Sequence, residues 1–333
     1  MEEIMVKHKQ PAAIGIDVSK NTLEVALLFV DESFSEAQFS NNTKGIKQLL
    51  AWLAEQGAKC CPICVEATGG LETNLCERAS RAKHPIQVAP PAQVAYFRKS
   101  LNLRNKTDGD DARLIARFAV SNPNYRWTSS SKAIQILKDA LKRRHKLTLA
   151  KTMLSNSEKT LRTAGQKRSA AADLRHLEQR IDQIDASIER LIAENEQLVQ
   201  TCKLLCSIPG IGMQIAATLC AVLDDNTFEH PKQLAAFIGI APMRRQSGNC
   251  EARGHISKIG NRCLRTALFM AALSARLHNP IIRDFANRLQ RRRPELSKKE
   301  IIVACAHKLT RIIHGVLKHN KPFDPHHECP AAA

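Results

Sequence analysis

The sequence predicts a mixed α/β amino-terminal part followed by a mostly helical remainder. Over the first 130 residues, short apolar runs typical of strands alternate with amphipathic helical patterns. The remainder shows long helical periodicity, and only 4% of the 333 residues are aromatic, which argues against an all-β sandwich. With 44% hydrophobic residues, the chain can form the cores of about two domains.

The amino-terminal elements can be assigned in order. Strands are predicted over 13–18, 23–30, 60–65 and 86–89, and helices from Thr43 onward, over 71–82, and from near Thr107 to Val120. Strands that alternate with helices indicate a largely buried sheet. We assign residues 12–130 to this domain.

The middle segment, 131–200, has a heptad pattern. One repeat position holds Leu174, Ile181, Ile188 and Asn195, and the other holds Leu177, Ile184, Leu191 and Leu198. Four heptads in succession predict a coiled coil that joins protomers. The alternative is one long amphipathic helix that packs within its own domain. A helix over 133–161 could fold back on this segment.

The last segment, 201–325, is predicted to be mostly helical, with helices up to Leu223 and near 231–238, 262–277, 280–292 and 298–317. It begins with the sequence Ile208-Pro209-Gly210-Ile211-Gly212. A glycine-rich turn at a helix start offers backbone N–H groups that suit a phosphate, so Gly210 and Gly212 are candidate nucleic-acid contacts. A plain turn between helices is the alternative.

The charge balance favours a polyanionic partner. The chain has 50 Lys and Arg against 32 Asp and Glu, and its last 94 residues hold 18 basic and six acidic side chains. Nucleic acid explains this surplus better than a membrane surface, because no apolar stretch is long enough to span a bilayer. No secretory leader is recognisable, so we expect a cytoplasmic, nucleoid-associated bacterial protein.

Cysteine usage indicates buried thiols. The 11 cysteines are scattered through apolar surroundings, and Cys61 and Cys64 form a C-x-x-C pair with no second pair at zinc-ligand spacing. That pair also lies in a strand-like run. A metal or redox role is therefore the weaker interpretation.

Four carboxylates suggest a metal site. Asp17 and Glu66 each end an apolar strand, and Asp108 and Asp111 share one helix face because they are three residues apart. Carboxylates that converge need a cation between them, and oxygen ligands select Mg²⁺ or Mn²⁺. Taken singly, each could be a turn former or a helix cap.

A serine lies within a basic stretch. Ser247 precedes a glycine, and the surrounding cations could hold a DNA phosphate and stabilise charge that develops on it. From the residues alone, a turn is the more ordinary interpretation. The cations concerned are Arg244, Arg245, Arg253, Lys258 and Arg262.

The ordered motifs resemble one known family. They are Gly15-Ile16-Asp17, Val65-Glu66-Ala67-Thr68-Gly69, Asn105-Lys106-Thr107-Asp108 with Asp111-Ala112-Arg113, the Pro209-Gly210 turn, and the block from Ser247-Gly248 to Gly260. Together they resemble the DEDD-type insertion-sequence transposases, the bridge-RNA-guided recombinases that include the Piv-type DNA invertases. The resemblance extends from about residue 12 to residue 325.

This resemblance implies a RuvC-like domain of RNase H fold whose tetrad, Asp17, Glu66, Asp108 and Asp111, binds Mg²⁺ or Mn²⁺. It also implies a coiled-coil middle and a helical transposase domain in which Ser247 forms a transient phosphoserine link to DNA. The tetrad of one protomer would act with the serine of another, in a dimer or a synaptic tetramer. Lys106 would contact nucleic acid. The partners would be donor and target duplex DNA and a structured noncoding guide RNA.

Three other functions remain open. The first is a site-specific DNA invertase of the same family that uses no guide RNA. The second is a RuvC-type nuclease that cuts by water attack, which leaves the Ser247 block without a role. The third is an actin-like kinase, because Gly15-Ile16-Asp17-Val18-Ser19-Lys20 resembles the first phosphate loop of that fold, although no second loop is evident. A non-catalytic chromatin-binding protein would explain the charge but not the four placed carboxylates.

Overall fold

The computed structural model describes residues 9–102, 108–125, 127–223, 228–247 and 250–326, with the side chains of 108–109 and 244–254 outside the description. The chain divides into two compact units, Met1–Ser129 and Ser130–Ala333. The first unit is built on a sheet and the second is mostly helical.

The first unit contains a five-stranded mixed sheet of order β3-β2-β1-β4-β5. β1 pairs with β4 in parallel, as does β4 with β5, whereas β1–β2 and β2–β3 are antiparallel. This mixed sheet is consistent with the expected RNase H-like fold. The strands are β1 (Pro11–Val18), β2 (Thr22–Phe29), β3 (Phe34–Ser40), β4 (Ile63–Glu66) and β5 (Ile86–Ala89).

Helices cover both faces of the sheet. Ile14 and Ile16 of β1 belong to the apolar cluster that includes residues of α1 and α2, and Ala13 belongs to a separate cluster with residues of α4. Alternate residues of β1 therefore face opposite helical layers. The helices are α1 (Thr43–Glu55), α2 (Thr73–Arg81), α3 (Pro91–Ser100) and α4 (Asp108–Ser121).

Two elements of this unit were not predicted. β3 is half-exposed along its length, because it lies at the edge of the sheet and has few apolar residues. α3 begins directly after Pro90, which supplies its amino-terminal flank, and buries only Val94. Neither segment therefore shows the apolar periodicity from which the other elements were predicted.

The second unit begins with a helical hairpin, α5 (Lys132–Glu158) and α6 (Ala164–Ala193). The two helices pack together, and Arg144 forms a bidentate ion pair with Asp185 across them. The four predicted heptads, in which Asn195 is the one polar residue, do not form one continuous helix. α6 ends at Ala193, and Asn195, the polar residue in the heptad pattern, is the N-cap of the next helix, where its side chain accepts a hydrogen bond from the Leu198 amide.

Part of the heptad seam is buried within the chain itself. Ile184 and Ile188 of α6 share a core with Ile134 and Leu137 of α5 and with residues of the following helices. This packing matches the alternative of a helix packed inside its own domain. Whether the hairpin also joins protomers stays a prediction.

In the described part of the second unit, six further helices follow, and their core is continuous with the base of the hairpin. The helices predicted over 231–238, 262–277, 280–292 and 298–317 are present, with ends within two residues of the predicted ones. They are α7 (Glu196–Cys206), α8 (Met213–Leu223), α9 (Pro231–Ile238), α10 (Arg262–His278), α11 (Pro280–Arg292) and α12 (Lys298–His319).

A β-hairpin that the sequence did not predict lies between α9 and α10. It consists of β6 (Pro242–Ser247) and β7 (Cys250–Ile256), which pair in antiparallel. Among the residues the structure describes, no helix is long and apolar enough to cross a membrane.

Candidate functional site

Asp17 and Glu66 lie side by side at the carboxyl ends of two parallel strands. The register pairs Ile16 with Val65, and each acid is the next residue along its strand. Asp17 shares a sheet face with Gly15, and Glu66 shares that face with Cys64, because side chains alternate along a strand. This is the face covered by α4.

The amino-terminal end of α4 points toward these two acids. At the other end of the helix, Gln87 Nε2 donates to the carbonyl oxygen of Asn122, and the Trp127 amide donates to that of Ile86. Ile86 begins β5, so the end of α4 lies at the start of the parallel strands. The first turn of α4, which contains Asp111, therefore lies at the edge where the strands end.

Asp111 is held by a cation from α3. Arg98 Nη2 donates to Asp111 Oδ1, and both side chains are mostly buried. The side chain of Asp108 lies outside the described residues. Among the residues that are described, no group of three metal-ligating side chains occurs.

Hydrogen bonds fix the loops along this carboxylate edge. Asn41 Nδ2 donates to the carbonyl oxygen of Ser19, which follows β1, and lies 3.4 Å from that of Leu71, beyond β4. The Glu72 carboxylate accepts from the Thr68 hydroxyl and from the Gly70 amide. The loops that follow the two acid-bearing strands are therefore tied to each other.

Sequence reasoning missed two residues at this edge. Glu24 of β2 is the register partner of Asp17 and accepts a hydrogen bond from Gln38 Nε2. Arg98 pairs with Asp111. Aligning the first two predicted strands as a hairpin around the turn at 19–22 would have paired Glu24 with Asp17. No local sequence pattern indicates Arg98.

Ser247 lies at the end of β6, next to the turn of the β-hairpin. It pairs with Cys250 across residues 248–249, which lie outside the described residues. Arg245 pairs with Ala252 in the same ladder. The side chains of Ser247, Arg244, Arg245 and Arg253 are outside the description, as is the whole of Lys106.

Two glycines fix the base of this hairpin. Gly239 has φ +80° and Gly260 has φ +147°, and a Cβ on Gly260 would overlap the carbonyl oxygen of Phe237. The Asn261 amide donates to that same oxygen, and the Lys258 amide donates to the carbonyl oxygen of Gly239. The chain entering the hairpin is therefore locked to the chain leaving it.

Lys258 and Arg262 stand near this base. Lys258 has φ +55°, an uncommon backbone conformation for a residue with a side chain. Its side chain is exposed, as is that of Arg262 at the first position of α10. Both cations are therefore accessible beside the hairpin.

The glycine-rich turn connects α7 to α8, so this region forms a helix–turn–helix pair around Pro209. Gly210 has φ +104° and packs against the backbone of Ala275, whereas the Cα of Gly212 faces open space. Asn279, which is fully buried, has its Nδ2 3.5 Å from the Pro209 carbonyl oxygen. Gly210 therefore allows the turn to pack closely against α10, whereas Gly212 lies at the solvent-accessible start of α8.

Cys61 and Cys64 are both buried. Burial raises the pKa of the Cys61 thiol to about 11. It raises the pKa of the Cys64 thiol to about 12, with a smaller contribution from the Glu66 charge. Thiols that bind metals or carry out redox chemistry have lowered pKa values, so the environment of this pair is that of a structural site.

Two family models match the chain. The model described as "Transposase", of the DEDD type of IS110 elements, matches residues 14–163. The model described as "Transposase IS116/IS110/IS902 family" matches residues 202–287. The first match contains the carboxylate edge, and the second contains the glycine-rich turn and the β-hairpin.

Two of the curated relatives illustrate matches that extend over most of the relative's length. The chain is 31% identical to a pilin gene-inverting protein of Moraxella bovis over 318 residues, which is 93% of this chain and 97% of the relative. It is 28% identical to the transposase for insertion sequence element IS1111A of Coxiella burnetii, over 80% of this chain and 78% of the relative. The chain therefore belongs to the IS116/IS110/IS902 family of DEDD transposases, which makes it an enzyme of DNA transposition or recombination.

Proposed function

We propose that this protein cuts and rejoins the DNA of an insertion sequence through a phosphoserine intermediate. The observation that carries the proposal is the position of Ser247, beside the turn of a β-hairpin whose base is fixed by Gly239 and Gly260. In each cut, the serine Oγ forms a bond to a DNA phosphorus atom, one P–O bond of the DNA backbone breaks, and the leaving deoxyribose oxygen takes up a proton. Because a phosphodiester replaces a phosphodiester, the strand can be rejoined without an external energy source.

The carboxylate edge suits a divalent cation. Asp17 and Glu66 end adjacent strands on one face, and α4 begins at the same edge, which supports a site made of Asp17, Glu66, Asp108 and Asp111. Bound Mg²⁺ or Mn²⁺ would neutralise charge on the phosphate under attack. The carboxylates would hold the cation, and Arg98 would keep Asp111 oriented, as hydrogen bonds do for many ligating carboxylates.

The basic residues near Ser247 would position the DNA backbone. Lys258 and Arg262 are exposed at the hairpin base, which supports phosphate contacts from both. We assign the same role to Arg244, Arg245, Arg253 and Lys106 from sequence alone. Gly212, at the start of α8, would offer its backbone N–H to a phosphate.

Guide RNA and oligomeric state belong to the same proposal. We infer that a structured noncoding RNA selects the donor and target DNA, and that protomers join through the α5–α6 hairpin into dimers and a synaptic tetramer. A second candidate is an invertase that needs no guide RNA. The similarity to a pilin gene-inverting protein over 97% of its length favours DNA inversion as the reaction, with or without a guide RNA. Ribonuclease treatment of the purified protein, with the DNA flanks left intact, separates the two, because only the RNA-guided enzyme loses recombination.

The test is an excision assay in which the gene lies between its native flanks. Amplification across the circular junction reports recombination, and denaturing gels report covalent protein–DNA adducts. We expect Ser247→Ala and Asp17→Asn each to abolish the junction, with the adduct also absent in Ser247→Ala. The matched controls are Thr201→Ala, whose hydroxyl donates to the Gln197 carbonyl oxygen within α7, and Asp31→Asn in the β2–β3 turn. Both should recombine normally.

The serine assignment and the metal site can each be contradicted by a separate result. An adduct that persists in Ser247→Ala would overturn the serine assignment. Loss of the junction in Asp17→Asn alone would indicate metal-dependent attack by water. Full recombination by Asp17→Asn would remove the metal site from the mechanism.

A further inference from the structure

A concentrated basic surface lies where α11 ends and α12 begins. Residues 288–299 contain six basic side chains and one acidic one, Glu295. Glu295 is paired with Arg293. The other five cations are exposed, and we call them the α11–α12 ridge: Arg288, Arg291, Arg292, Lys298 and Lys299.

No described carboxylate neutralises the ridge charges. In the parts of the chain that the structure describes, no ion pair involves a ridge residue, and the Arg293–Glu295 pair lies beside the ridge. The nearest other carboxylate in sequence, Glu300, is engaged by the Ser297 amide and hydroxyl at the start of α12. The ridge therefore presents five positive charges to solvent.

The two lysines stand at the less favourable end of a helix. Lys298 and Lys299 are the first two residues of α12, where the helix dipole favours negative charge. The capping box of Ser297 and Glu300 already stabilises this end, so the lysines are not needed to form it. The arginines at the carboxyl end of α11 interact favourably with the dipole of that helix, whereas the lysines at the amino end of α12 interact unfavourably with the dipole of theirs. An external anion bound beside the lysines would offset this unfavourable interaction.

The ridge is held on a rigid support. α11 is anchored by the buried Ile282 and Ala286, and α12 by the buried Ile301 and Ile302. A connection of five residues keeps the two helix ends close. Three arginines within one and a half turns of α11 can each bind a phosphate oxygen pair in bidentate fashion.

The composition of the ridge indicates which nucleic acid it fits. Residues 288–299 contain no aromatic side chain, so they lack the aromatic platform on which single-strand binding proteins stack successive bases. Cations on the ends of two fixed helices instead suit the regularly spaced phosphates of a duplex. We propose that the α11–α12 ridge is a sequence-independent binding surface for the phosphate backbone of double-stranded DNA. This inference rests on the proposed function only in that the protein acts on DNA.

The experiment compares two triple variants of the full-length protein. One carries Arg292→Gln, Lys298→Gln and Lys299→Gln. The control carries Lys44→Gln, Lys47→Gln and Lys59→Gln, which remove the same charge from exposed positions in and near α1, on the sheet face opposite α4. Binding to a fluorescein-labelled 30-base-pair duplex of mixed sequence is measured by anisotropy across a series of salt concentrations.

We expect the ridge variant to lose about two to three units from the slope of log K against log salt, since each phosphate contact contributes about 0.9. Its affinity at 150 mM salt should fall more than about tenfold. The control variant and Arg292→Lys, which keeps the charge, should retain the wild-type slope. Circular dichroism and thermal unfolding should show both triple variants folded as the wild type is.

Two results would overturn the ridge assignment. One is an unchanged salt slope in the ridge variant. The other is a loss of affinity confined to a folded RNA hairpin of similar length, with duplex binding intact. Measurement of the covalent adduct on the same proteins distinguishes a failure of the ridge assignment from a failure of the proposed function. A wild type that binds the duplex but forms no adduct argues against the serine mechanism and leaves the ridge result standing.

Discussion

Gly15 of β1 lies directly beneath the backbone of Ala112 in α4. A Cβ atom at Gly15 would overlap the carbonyl oxygen of Ala112 and the backbone nitrogen of Ala116. Because both obstacles belong to the backbone, no side-chain rotation can relieve them. The absence of a side chain at residue 15 therefore sets how closely α4, with Asp108 and Asp111 in its first turn, approaches the strand that carries Asp17.

Gly15→Ala should therefore damage both the fold and the site. Overpacked cores lose about 1–3 kcal/mol, and we expect a loss at or above about 3 kcal/mol here because the backbone of α4 must move. DNA cleavage should also fall, since a shift of α4 separates its carboxylates from Asp17. Thermal unfolding and cleavage assays measure the two effects.

Gly165→Ala is the matched control. Gly165 lies in the first turn of α6, and a Cβ there would meet nothing within 4 Å. Alanine should be neutral or slightly stabilising, because it favours helices by up to about 1 kcal/mol over glycine. Equal unfolding temperatures for the two variants would contradict the close approach at Gly15.

The pair Arg98–Asp111 should be energetically coupled. The two side chains are 20% and 16% exposed, whereas those of Arg113 and Glu36, a second ion pair that involves α4, are 48% and 38% exposed. Ion pairs screened by solvent contribute less than about 1 kcal/mol, and better-buried ones contribute more. We expect a coupling of about 1–3 kcal/mol for Arg98–Asp111.

A double-mutant cycle measures this coupling. Arg98→Met, Asp111→Asn and the double variant are compared by hydrogen exchange of the α4 amides, which reports local opening free energies. The same cycle with Arg113→Met and Glu36→Gln provides the exposed reference. A coupling for Arg98–Asp111 no larger than that reference would show that Arg98 does not hold Asp111.

Regular hydrophobic patterns predicted the scaffold of the carboxylate edge. Asp17 and Glu66 follow continuous apolar runs, which are typical of buried parallel strands, and this pattern is enough to locate both acids at strand ends. Arg98 escaped prediction because its helix buries only Val94 and has almost no apolar face. Its pairing with Asp111 depends on tertiary packing that no local pattern encodes.

The second unit departs from its sequence pattern for two physical reasons. Asn195 occupies a heptad position by spacing, but its side chain is a better helix cap than a core residue, so one helix ends and another begins there. The β-hairpin that carries Ser247 is polar, and its base depends on the contact of Gly239 with Gly260, which are 21 residues apart in sequence. The heptad spacing therefore concealed the first feature, and the second lacks the periodicity on which prediction relies.

Cysteine reactivity should follow burial. Burial raises the pKa of the Cys61 and Cys64 thiols to about 11 and about 12. Both therefore stay protonated and unreactive at pH 8, because the thiolate is the reacting form. Iodoacetamide should label the exposed Cys60 and Cys263 in the native protein, with Cys61 and Cys64 labelled only after unfolding.

Mass spectrometry of the labelled peptides checks this prediction. Raising the pH from 8 to 9 should leave Cys64 unlabelled, since its raised pKa still lies far above the solution pH. Labelling of Cys61 or Cys64 at the rate of the neighbouring Cys60 would contradict the structure. That result would also reopen a metal or redox role for the C-x-x-C pair.

Gly210 and Gly212 should respond in opposite ways to the same substitution. Gly210 has φ +104°, and a Cβ there would lie 2.6 Å from the backbone of Ala275, so Gly210→Ala should destabilise the second unit. At Gly212 a Cβ would meet nothing within 4 Å. Gly212→Ala should therefore leave the unfolding temperature unchanged.

The DNA affinity of Gly212→Ala then shows whether Gly212 contacts a phosphate or serves only the packing of the turn. If a phosphate approaches the start of α8, the methyl group of Gly212→Ala would obstruct it and weaken duplex binding about tenfold, the cost of one hydrogen bond to a charged group. The salt slope should keep its wild-type value, because an uncharged backbone N–H neutralises no phosphate and releases no counterion. A folded Gly212→Ala protein with wild-type affinity would assign the Pro209–Gly212 turn to packing alone, since the substitution fills the very space that a phosphate would need.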